Sequence, residues 1–260
     1  MSELLEIEAR DGIWTVRLNR PAVRNAFSVE LIRRLTQTAE QLRDNVAVRS
    51  VILCAAGQHF CAGMDLKDLQ DHGGGTLSLA ERRALAAEGE RMCQAWEDVP
   101  AITLCAVEGH CVGGGAALAA ALDLRVIGSS AWFWLPEIAI GIPLGWGALP
   151  RLVRLLGPAK AKRFIALCER FKGREALDFG LADYLVADGQ AEAEALKLAQ
   201  RIVELPQVPV TMSKQAINAT VNALNHLASH MASDQLALAA ASDEAAAAHR
   251  RFAARDKGGH

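Results

Sequence analysis

The sequence predicts an α/β fold with a mainly parallel sheet, followed by a helical C-terminal region. Apolar strands alternate with helical segments, and strands joined by crossovers of about a dozen residues or more pair in parallel. Two glycine-containing turns each follow an apolar strand and lead into a helix. Beyond a proline-rich stretch the pattern is helical and rich in alanine. We therefore expect a core over residues 1–205 and a helical C-terminal region over residues 206–260.

The first half of the chain supplies the strands and crossover helices in order. Leu5–Glu8 and Ile13–Leu18 alternate apolar and polar residues around Asp11-Gly12, which predicts a hairpin. Ser28 then caps a helix whose apolar side chains recur at helical spacing as far as Leu42. The next predicted elements are a buried strand in RSVILCAAG, an amphipathic helix over residues 80–97 and a strand in PAITLCAVEG.

The second half changes from strands to helices. The glycines 113–115 lie between the strand just described and a predicted buried helix in AALAAAL. DLRVIGSSAWFWL predicts one returning strand, and ADYLVA a short one. PEIAIGIPLGWGALPRLVRLLG predicts a loop followed by a helix. The remaining predicted elements are helices over residues 158–169, 173–180, 190–205 and 208–252.

Composition and charge exclude several classes of protein. The chain has 260 residues, of which 51% are hydrophobic and 22% charged, and this is enough for one large domain with a sizeable core. Its net charge of −2 provides no basic field for nucleic acid or an anionic membrane. No apolar run approaches the roughly 20 residues of a membrane span, and the N-terminus lacks the pattern of a signal peptide. The six cysteines form no C-x-x-C pair and lie mostly in apolar runs, so we expect reduced thiols in a cytoplasmic protein.

The familiar glycine and histidine motifs are absent from the sequence. The glycine triplet matches neither G-x-x-x-x-G-K-[ST] nor G-x-G-x-x-G, so neither a phosphate-binding loop nor a dinucleotide site is indicated. G-x-S-x-G and H-E-x-x-H are also missing. We expect no metal site.

Two glycine-containing turns carry the candidate chemistry. One is Cys61–Asp65 and the other is Gly113–Gly115, and each precedes a helix, whose first N–H groups have no partner within the helix. If the two turns converge, their N–H groups form a two-donor pocket for a developing oxyanion. Spacing alone leaves open that they are ordinary turns of an α/β fold.

Five segments, in order along residues 5–250, resemble the crotonase (enoyl-CoA hydratase/isomerase) superfamily. They are LNRPAVRNAFS, GQHFCAGMDLKDL, VEGHCVGGGAALAAALDLRV, PEIAIGIPLGWGALPRLVRLLG and GREALDFGLADYLV. The resemblance implies a spiral of βαβ-type turns with a helical C-terminal region that packs between subunits of a trimer or a dimer of trimers.

The same resemblance implies an acyl-CoA substrate, with coenzyme A as part of the substrate and no separate cofactor. In that reading the backbone N–H groups of Met64 and Gly114 receive the thioester oxygen. The CoA moiety is expected at Ala22, Arg24, Ala62, Asp65 and Leu66, and the acyl pocket at Trp132, Trp134 and Leu144. We expect neither a nucleic-acid nor a membrane partner.

The acids distinguish the possible reactions. Hydratases of the family typically use two glutamates, and the positions that match them here hold Ala117 and Glu137. Apolar neighbours of Glu137 would raise its pKa towards neutrality, which suits a proton shuttle. Hydration usually divides its work between two acids, whereas one base is enough to move a proton from C2 to C4. We therefore favour Δ3/Δ2-enoyl-CoA isomerisation.

Three alternatives remain at this point. The first is an enoyl-CoA hydratase, and the second is a thioester hydrolase or decarboxylase on the same fold, which would keep both turns and alter the acids. The third, a non-catalytic RNA-binding relative, is disfavoured by the slightly acidic charge balance.

Overall fold

Two sheets form the framework of the computed structural model, which describes residues 3–65, 67–68, 77–223, 225, 229 and 231–256. The larger sheet has the order β1-β2-β3-β4-β6-β9. Only β1 and β2 pair antiparallel in it, and every other neighbour is parallel. Its strands are β1 (Leu5–Arg10), β2 (Ile13–Leu18), β3 (Ser50–Ala55), β4 (Ile102–Val107), β6 (Leu124–Gly128) and β9 (Tyr184–Val186). The predicted α/β class with a mainly parallel sheet is confirmed.

The smaller sheet carries the glycine triplet at its edge. It consists of β5 (His110–Val112), β7 (Trp132–Trp134) and β8 (Phe171–Lys172), with β5 parallel to β7 and β8 antiparallel to it. Because β5 ends at Val112, the glycines begin directly where this sheet stops.

Ten helices of the described residues surround the sheets. They are α1 (Val29–Asp44), α2 (Leu79–Ala86), α3 (Glu88–Glu97), α4 (Gly114–Ala121), α5 (Ala148–Ala166, bent at Gly157), α6 (Gly173–Phe179), α7 (Ala191–Val203), α8 (Gln207–Asn222), α9 (Ala232–Ala240) and α10 (Asp243–Asp256). From Gln207 onward the described elements are all helices, and the proposed boundary at residue 205 stays a prediction.

Helix α4 owes its position to its small side chains. All of its residues except the first are buried, from Gly115 to Ala121. A helix that is apolar all round belongs in a core, and α4 packs against both α3 and α5. This buried helix places the glycine triplet at the centre of the molecule.

Three predicted elements are divided in the structure. The helix predicted over residues 208–252 becomes α8, α9 and α10. Residues 80–97 form α2 and α3, because the chain at Ala87 has ψ −12°, which is too shallow for a continuous α-helix. The strand predicted in DLRVIGSSAWFWL becomes β6 and β7 in different sheets. The Asp188 carboxylate fixes the turn between them, since it accepts bonds from the Ser130 N–H at 2.7 Å and the Ser129 hydroxyl at 3.0 Å.

All six cysteines are free thiols, as the sequence predicts. Five are buried, and Cys168 is half-buried. Burial raises the pKa of each thiol above its ordinary value, to about 12 for Cys54, Cys61 and Cys93. Throughout the described ranges, no helix is both long enough and apolar enough to cross a membrane.

Candidate active site

The two glycine turns meet in the structure. Cys61 and Cys111 form a parallel bridge, in which the Cys61 N–H donates to the His110 carbonyl at 2.9 Å and the Val112 N–H donates to the Cys61 carbonyl at 3.0 Å. Beyond this bridge the two backbone segments stay close, since a Cβ on Gly113 would lie 3.8 Å from the Gly63 Cα atom. The convergence that spacing alone left open is therefore present.

Each turn offers one backbone N–H group beyond the bridge. Met64 and Gly114 each lie three residues past their bridging cysteine. The backbone of Phe27 brackets Met64, since its N–H donates to Gly63 at 2.8 Å and its carbonyl accepts from Asp65 at 2.9 Å. Gly114 is the first residue of α4. Within the described part of the chain, neither of these two N–H groups donates a hydrogen bond, so both are free to bind an oxyanion.

Gly113 is required by the backbone between the two turns. Its φ of 52° and ψ of −118° belong to a region that only glycine enters at little cost. A Cβ there would also lie 3.1 Å from Oε1 of Glu137. The missing side chain therefore lets the carboxylate of Glu137 approach the start of α4.

Glu137 has the environment of a proton shuttle. Its Oε2 atom is buried and has no hydrogen-bond partner among the described residues. Burial raises the pKa of the carboxyl from 4.5 to about 7. Its backbone is fixed, because its carbonyl accepts bonds from Ile140 at 3.2 Å and Ile142 at 2.9 Å. A carboxyl group that titrates near neutrality can both accept and return a proton.

The other acids near the glycine triplet are engaged elsewhere. Glu108 accepts a hydrogen bond from the Ala191 N–H at 3.0 Å, at the start of α7. Asp123 accepts one from the Thr103 N–H at 2.7 Å and pairs with Lys214 at 2.6 Å. Ala117 is buried within α4. Of these positions, Glu137 alone brings a carboxylate to the two turns.

The residues expected to hold CoA lie together where they are described. The Ala62 N–H donates to the Arg24 carbonyl at 3.0 Å, and Ala22 and Arg24 are exposed. The Asp65 carboxylate pairs with Arg20 at 3.0 Å. Burial acts to raise the pKa of Asp65, but the hydrogen bond from Arg20 and backbone donors outweigh it and keep that pKa below its ordinary value. Leu66 lies outside the described residues, and CoA binding by the set stays a prediction.

The three residues predicted for the acyl pocket occupy different surroundings. Trp132 lies between the His110 ring at 4.6 Å and the Arg170 guanidinium at 4.8 Å. The Trp134 indole N–H donates to the Cys168 carbonyl at 2.9 Å, and its ring stacks on Phe252 of α10 at 6.2 Å. Leu144 is half-buried against the core. Their contact with an acyl group stays a prediction.

Sequence reasoning missed Trp146, which lies beside Gly114. A Cβ on Gly114 would lie 2.2 Å from this indole. Trp146 stands between Gly145 and Gly147 in the loop after Glu137, and its φ is 61°. An indole flanked by two glycines, close after the P-E pair, is the signal that could have identified it.

A metal site was not expected from the sequence. Over the described ranges, no three His, Cys, Asp or Glu side chains cluster in a way that would hold a metal ion.

Comparisons with known proteins identify relatives of the chain. The sequence profile of the enoyl-CoA hydratase/isomerase family matches residues 8–257. A short-chain-enoyl-CoA hydratase of Clostridium acetobutylicum is 31% identical over 82% of this chain and 80% of its own. The human mitochondrial enoyl-CoA hydratase domain-containing protein 2 is 37% identical over 80% of this chain and 71% of its own.

The fold also agrees with solved structures. An enoyl-CoA hydratase from Bacillus anthracis, 29% identical, superposes with a TM-score of 0.77 over 83% of this chain and 82% of its own. The crotonase-type fold that the sequence predicts is thereby confirmed.

Proposed function

Because the chain belongs to the enoyl-CoA hydratase/isomerase family, we propose that it binds an acyl-CoA thioester and interconverts its Δ3 and Δ2 enoyl forms. The observation that carries this proposal is the Glu137 carboxylate beside the converging turns, where a Cβ on Gly113 would lie 3.1 Å from its Oε1. Its Oε2 is buried without a partner among the described residues, Asp65 of the first turn is paired with Arg20, and Ala117 provides no second carboxylate.

The thioester oxygen would bind between the N–H groups of Met64 and Gly114. When a base removes a proton from C2, negative charge moves onto this oxygen and forms an enolate. Fixed backbone donors stabilise that charge without reorganising and without titrating. Loss of a single such donor in other enzymes costs on the order of 100- to 1000-fold in kcat.

Glu137 would carry the proton between the two carbons. As a carboxylate it takes the C2 proton of a 3-enoyl-CoA, and the electron pair of that C–H bond delocalises into a dienolate. The neutral acid then returns the same proton at C4, and the double bond moves from C3=C4 to C2=C3. No water is consumed, and the carboxylate is regenerated.

Hydration is the second candidate, and the comparisons favour it. The relative from Clostridium acetobutylicum and the solved structure from Bacillus anthracis are both named enoyl-CoA hydratases. Hydration would add a hydroxyl group to C3 and a proton to C2 of a 2-enoyl-CoA. Glu137 would then have to serve both steps, because residue 117 is an alanine.

A paired substrate assay tests the proposal. We expect conversion of a 3-enoyl-CoA into the 2-enoyl-CoA to be faster, as kcat/KM, than hydration of crotonyl-CoA, with both products identified by mass. Rapid hydration of crotonyl-CoA without isomerisation would replace the proposed reaction by the second candidate.

The role of Glu137 is tested by substitution. Glu137→Gln should remove turnover while the protein still binds an acyl-CoA, because the amide fills the same space but cannot accept the proton. Glu108→Gln is the matched control, since Glu108 bonds to Ala191 instead. Activity retained in Glu137→Gln would remove this residue from the mechanism.

A further inference from the structure

The Trp146 indole lies in a slot between two helices. A Cβ on Gly89 of α3 would lie 2.0 Å from the ring, and one on Gly114 of α4 would lie 2.2 Å from it. No side chain fits at either position beside the indole in this arrangement. Two glycines on neighbouring helices therefore admit one large aromatic group beside the Gly114 N–H.

The fold fixes this indole in place. The φ of 61° at Trp146 lies in the left-handed region, which is unfavourable for a residue with a side chain. The Arg151 guanidinium offsets this cost, because it donates to the carbonyls of Trp146 at 3.3 Å and Gly147 at 3.1 Å. Arg151 is itself buried and paired with Glu97 at 2.6 Å. The loop therefore holds the ring through a buried ion pair.

The indole connects the segments that carry the two proposed oxyanion donors. It touches Gly114 directly, and its ring is nearly parallel to that of Phe27, at 6.1 Å and 13°. Phe27 in turn brackets Met64 through its two backbone hydrogen bonds. The ring thus lies beside Gly114 and contacts the side chain of the residue whose backbone holds Met64.

Residue 117 lies on the same side of α4 as the indole. Positions three apart on a helix share a face, so the side chain at 117 projects on the face where Gly114 meets the indole. Ala117 is only 2% exposed. Glu137 approaches the adjacent Gly113, so the acid and the indole both lie at the start of α4.

We propose that Trp146 determines reaction specificity: with Ala117, its indole keeps water away from the side of the acyl group that does not face Glu137. This inference rests on the proposed function. Addition of water places a hydroxyl group on C3 and therefore needs a held water molecule, whereas proton transfer from C2 to C4 needs none. An apolar wall at this place selects proton transfer.

A double-variant experiment tests the proposal. Ala117→Glu alone should not raise crotonyl-CoA hydration above the wild-type rate, because the indole takes the room that a water would need. Trp146→Ala alone opens that room without supplying an acid and should not raise hydration either. The double variant should hydrate crotonyl-CoA faster by on the order of 100-fold, the usual gain from one positioned acid or base.

Two results would overturn the proposal. One is hydration by Ala117→Glu alone equal to that of the double variant. The other is no gain in a folded double variant that still forms the enolate. Ala117→Glu with Trp146→Phe is the matched control, and it should stay slow because an aromatic wall remains.

Enolate formation is measured separately, as exchange of the C2 proton of butyryl-CoA in heavy water. If this exchange depends on Glu137 and persists in the Trp146 variants, the proposed function holds. A missing gain in hydration would then overturn only the inference about Trp146. Absence of exchange in the wild type would instead overturn the proposed function.

Fluorescence gives a second test that does not depend on the Trp146→Ala variant folding. In a variant with Trp132→Phe and Trp134→Phe, which removes the two other indoles predicted for the acyl pocket, binding of butyryl-CoA should change the tryptophan emission, and adding Trp146→Phe should remove most of that change. If Trp146→Phe keeps the full change, the indole does not face the acyl group and the proposal fails.

Discussion

A buried carboxylate oxygen without a hydrogen-bond partner is costly, and Oε2 of Glu137, beside the two turns, has no partner among the described residues. The residues around Glu137 explain how this carboxylate is accommodated and held in place. Gly113 leaves room for the carboxylate, and the loop after Glu137 is closed by hydrogen bonds to its carbonyl. The carboxylate form of Glu137 is therefore poorly solvated, and this makes Glu137 a stronger base than an exposed glutamate.

Activity should depend on pH through the ionisation of Glu137. Because Glu137 must be ionised to take a proton and its pKa is about 7, kcat/KM should rise with pH through an apparent pKa near that value. Rate profiles between pH 5 and 9 measure it. A profile that is flat across neutrality would contradict a base with a raised pKa.

Stability should follow pH in the opposite direction. The folded protein binds the Glu137 proton up to about pH 7, whereas the unfolded chain releases it near the ordinary value of 4.5. The folded state therefore holds more protons in this window, and this residue makes the free energy of unfolding fall as pH rises through it. Urea unfolding at several pH values should show this fall, and Glu137→Gln should lack it.

Gly114 provides a third prediction. In Gly114→Ala the new methyl group would lie 2.2 Å from the confined Trp146 ring. We expect a loss of about 1–3 kcal/mol in the free energy of unfolding, as for other overpacked cores, together with reduced activity. Gly145→Ala is the matched control, since nothing lies within 4 Å of a Cβ there. Equal stability of the two variants would show that the slot is loose.

At this scale the sequence predicted Glu137 and a raised pKa for it, but not the slot that holds Trp146. The P-E pair and the missing acid at residue 117 are readable from the chain. The slot for Trp146 is not, because it depends on Gly89, which is far from Gly114 in sequence and on another helix. Contacts between distant small residues leave no local pattern.

Among the elements, α3 and α5 are joined by a buried ion pair that also supports the active-site loop. Arg151 and Glu97 are 2.6 Å apart with side chains 3% and 8% exposed, and Arg154 adds a second contact to Glu97 at 3.3 Å. Removing one member of such a pair leaves an uncompensated charge inside the protein.

Glu97→Gln should therefore lower the free energy of unfolding by about 3–5 kcal/mol. Urea unfolding measures the change. Glu169→Gln, which breaks the exposed pair with Arg163, should leave the unfolding midpoint almost unaltered. Similar midpoints for the two variants would refute a structural role for the buried pair.

The sequence predicted most elements because their signals are local. Ser28 was identified as a cap, and its hydroxyl accepts the Leu31 N–H at 3.1 Å. The short strand β5 was not predicted, because three residues ahead of a glycine turn carry no recognisable alternation. Its pairing with β7 is set by the larger fold instead.

At the scale of the whole molecule, helix α8 exposes apolar side chains that the rest of the chain does not cover. Of its residues only Lys214 is buried, while Val208, Met212 and Ile217 are 67%, 63% and 61% exposed. Val208 and Met212 share one face of the helix, and Ile217 lies on the opposite side. Apolar residues on opposite sides of a helix are typical of one buried on more than one side.

We therefore expect the chain to assemble as a trimer or a dimer of trimers. Sedimentation should give three or six times the chain mass of 27.9 kDa. The double substitution Val208→Glu with Met212→Glu should shift the protein towards smaller species. Val46→Glu, at an apolar residue that is 88% exposed outside this helix, is the control. A monomeric wild type would contradict the expectation.

The burial of the cysteine thiols bears on a side reaction, the transfer of an acyl group from a thioester to the protein. A thiolate that reached a bound thioester could capture its acyl group by exchange, since the thiolate is the nucleophilic form. Here burial raises the pKa of every cysteine, including Cys168 near Glu137, so all six stay protonated at neutral pH. An acyl-CoA bound as proposed would therefore meet thiols and not thiolates, and a thiol reagent added to the folded protein should react with free coenzyme A faster than with the five buried cysteines.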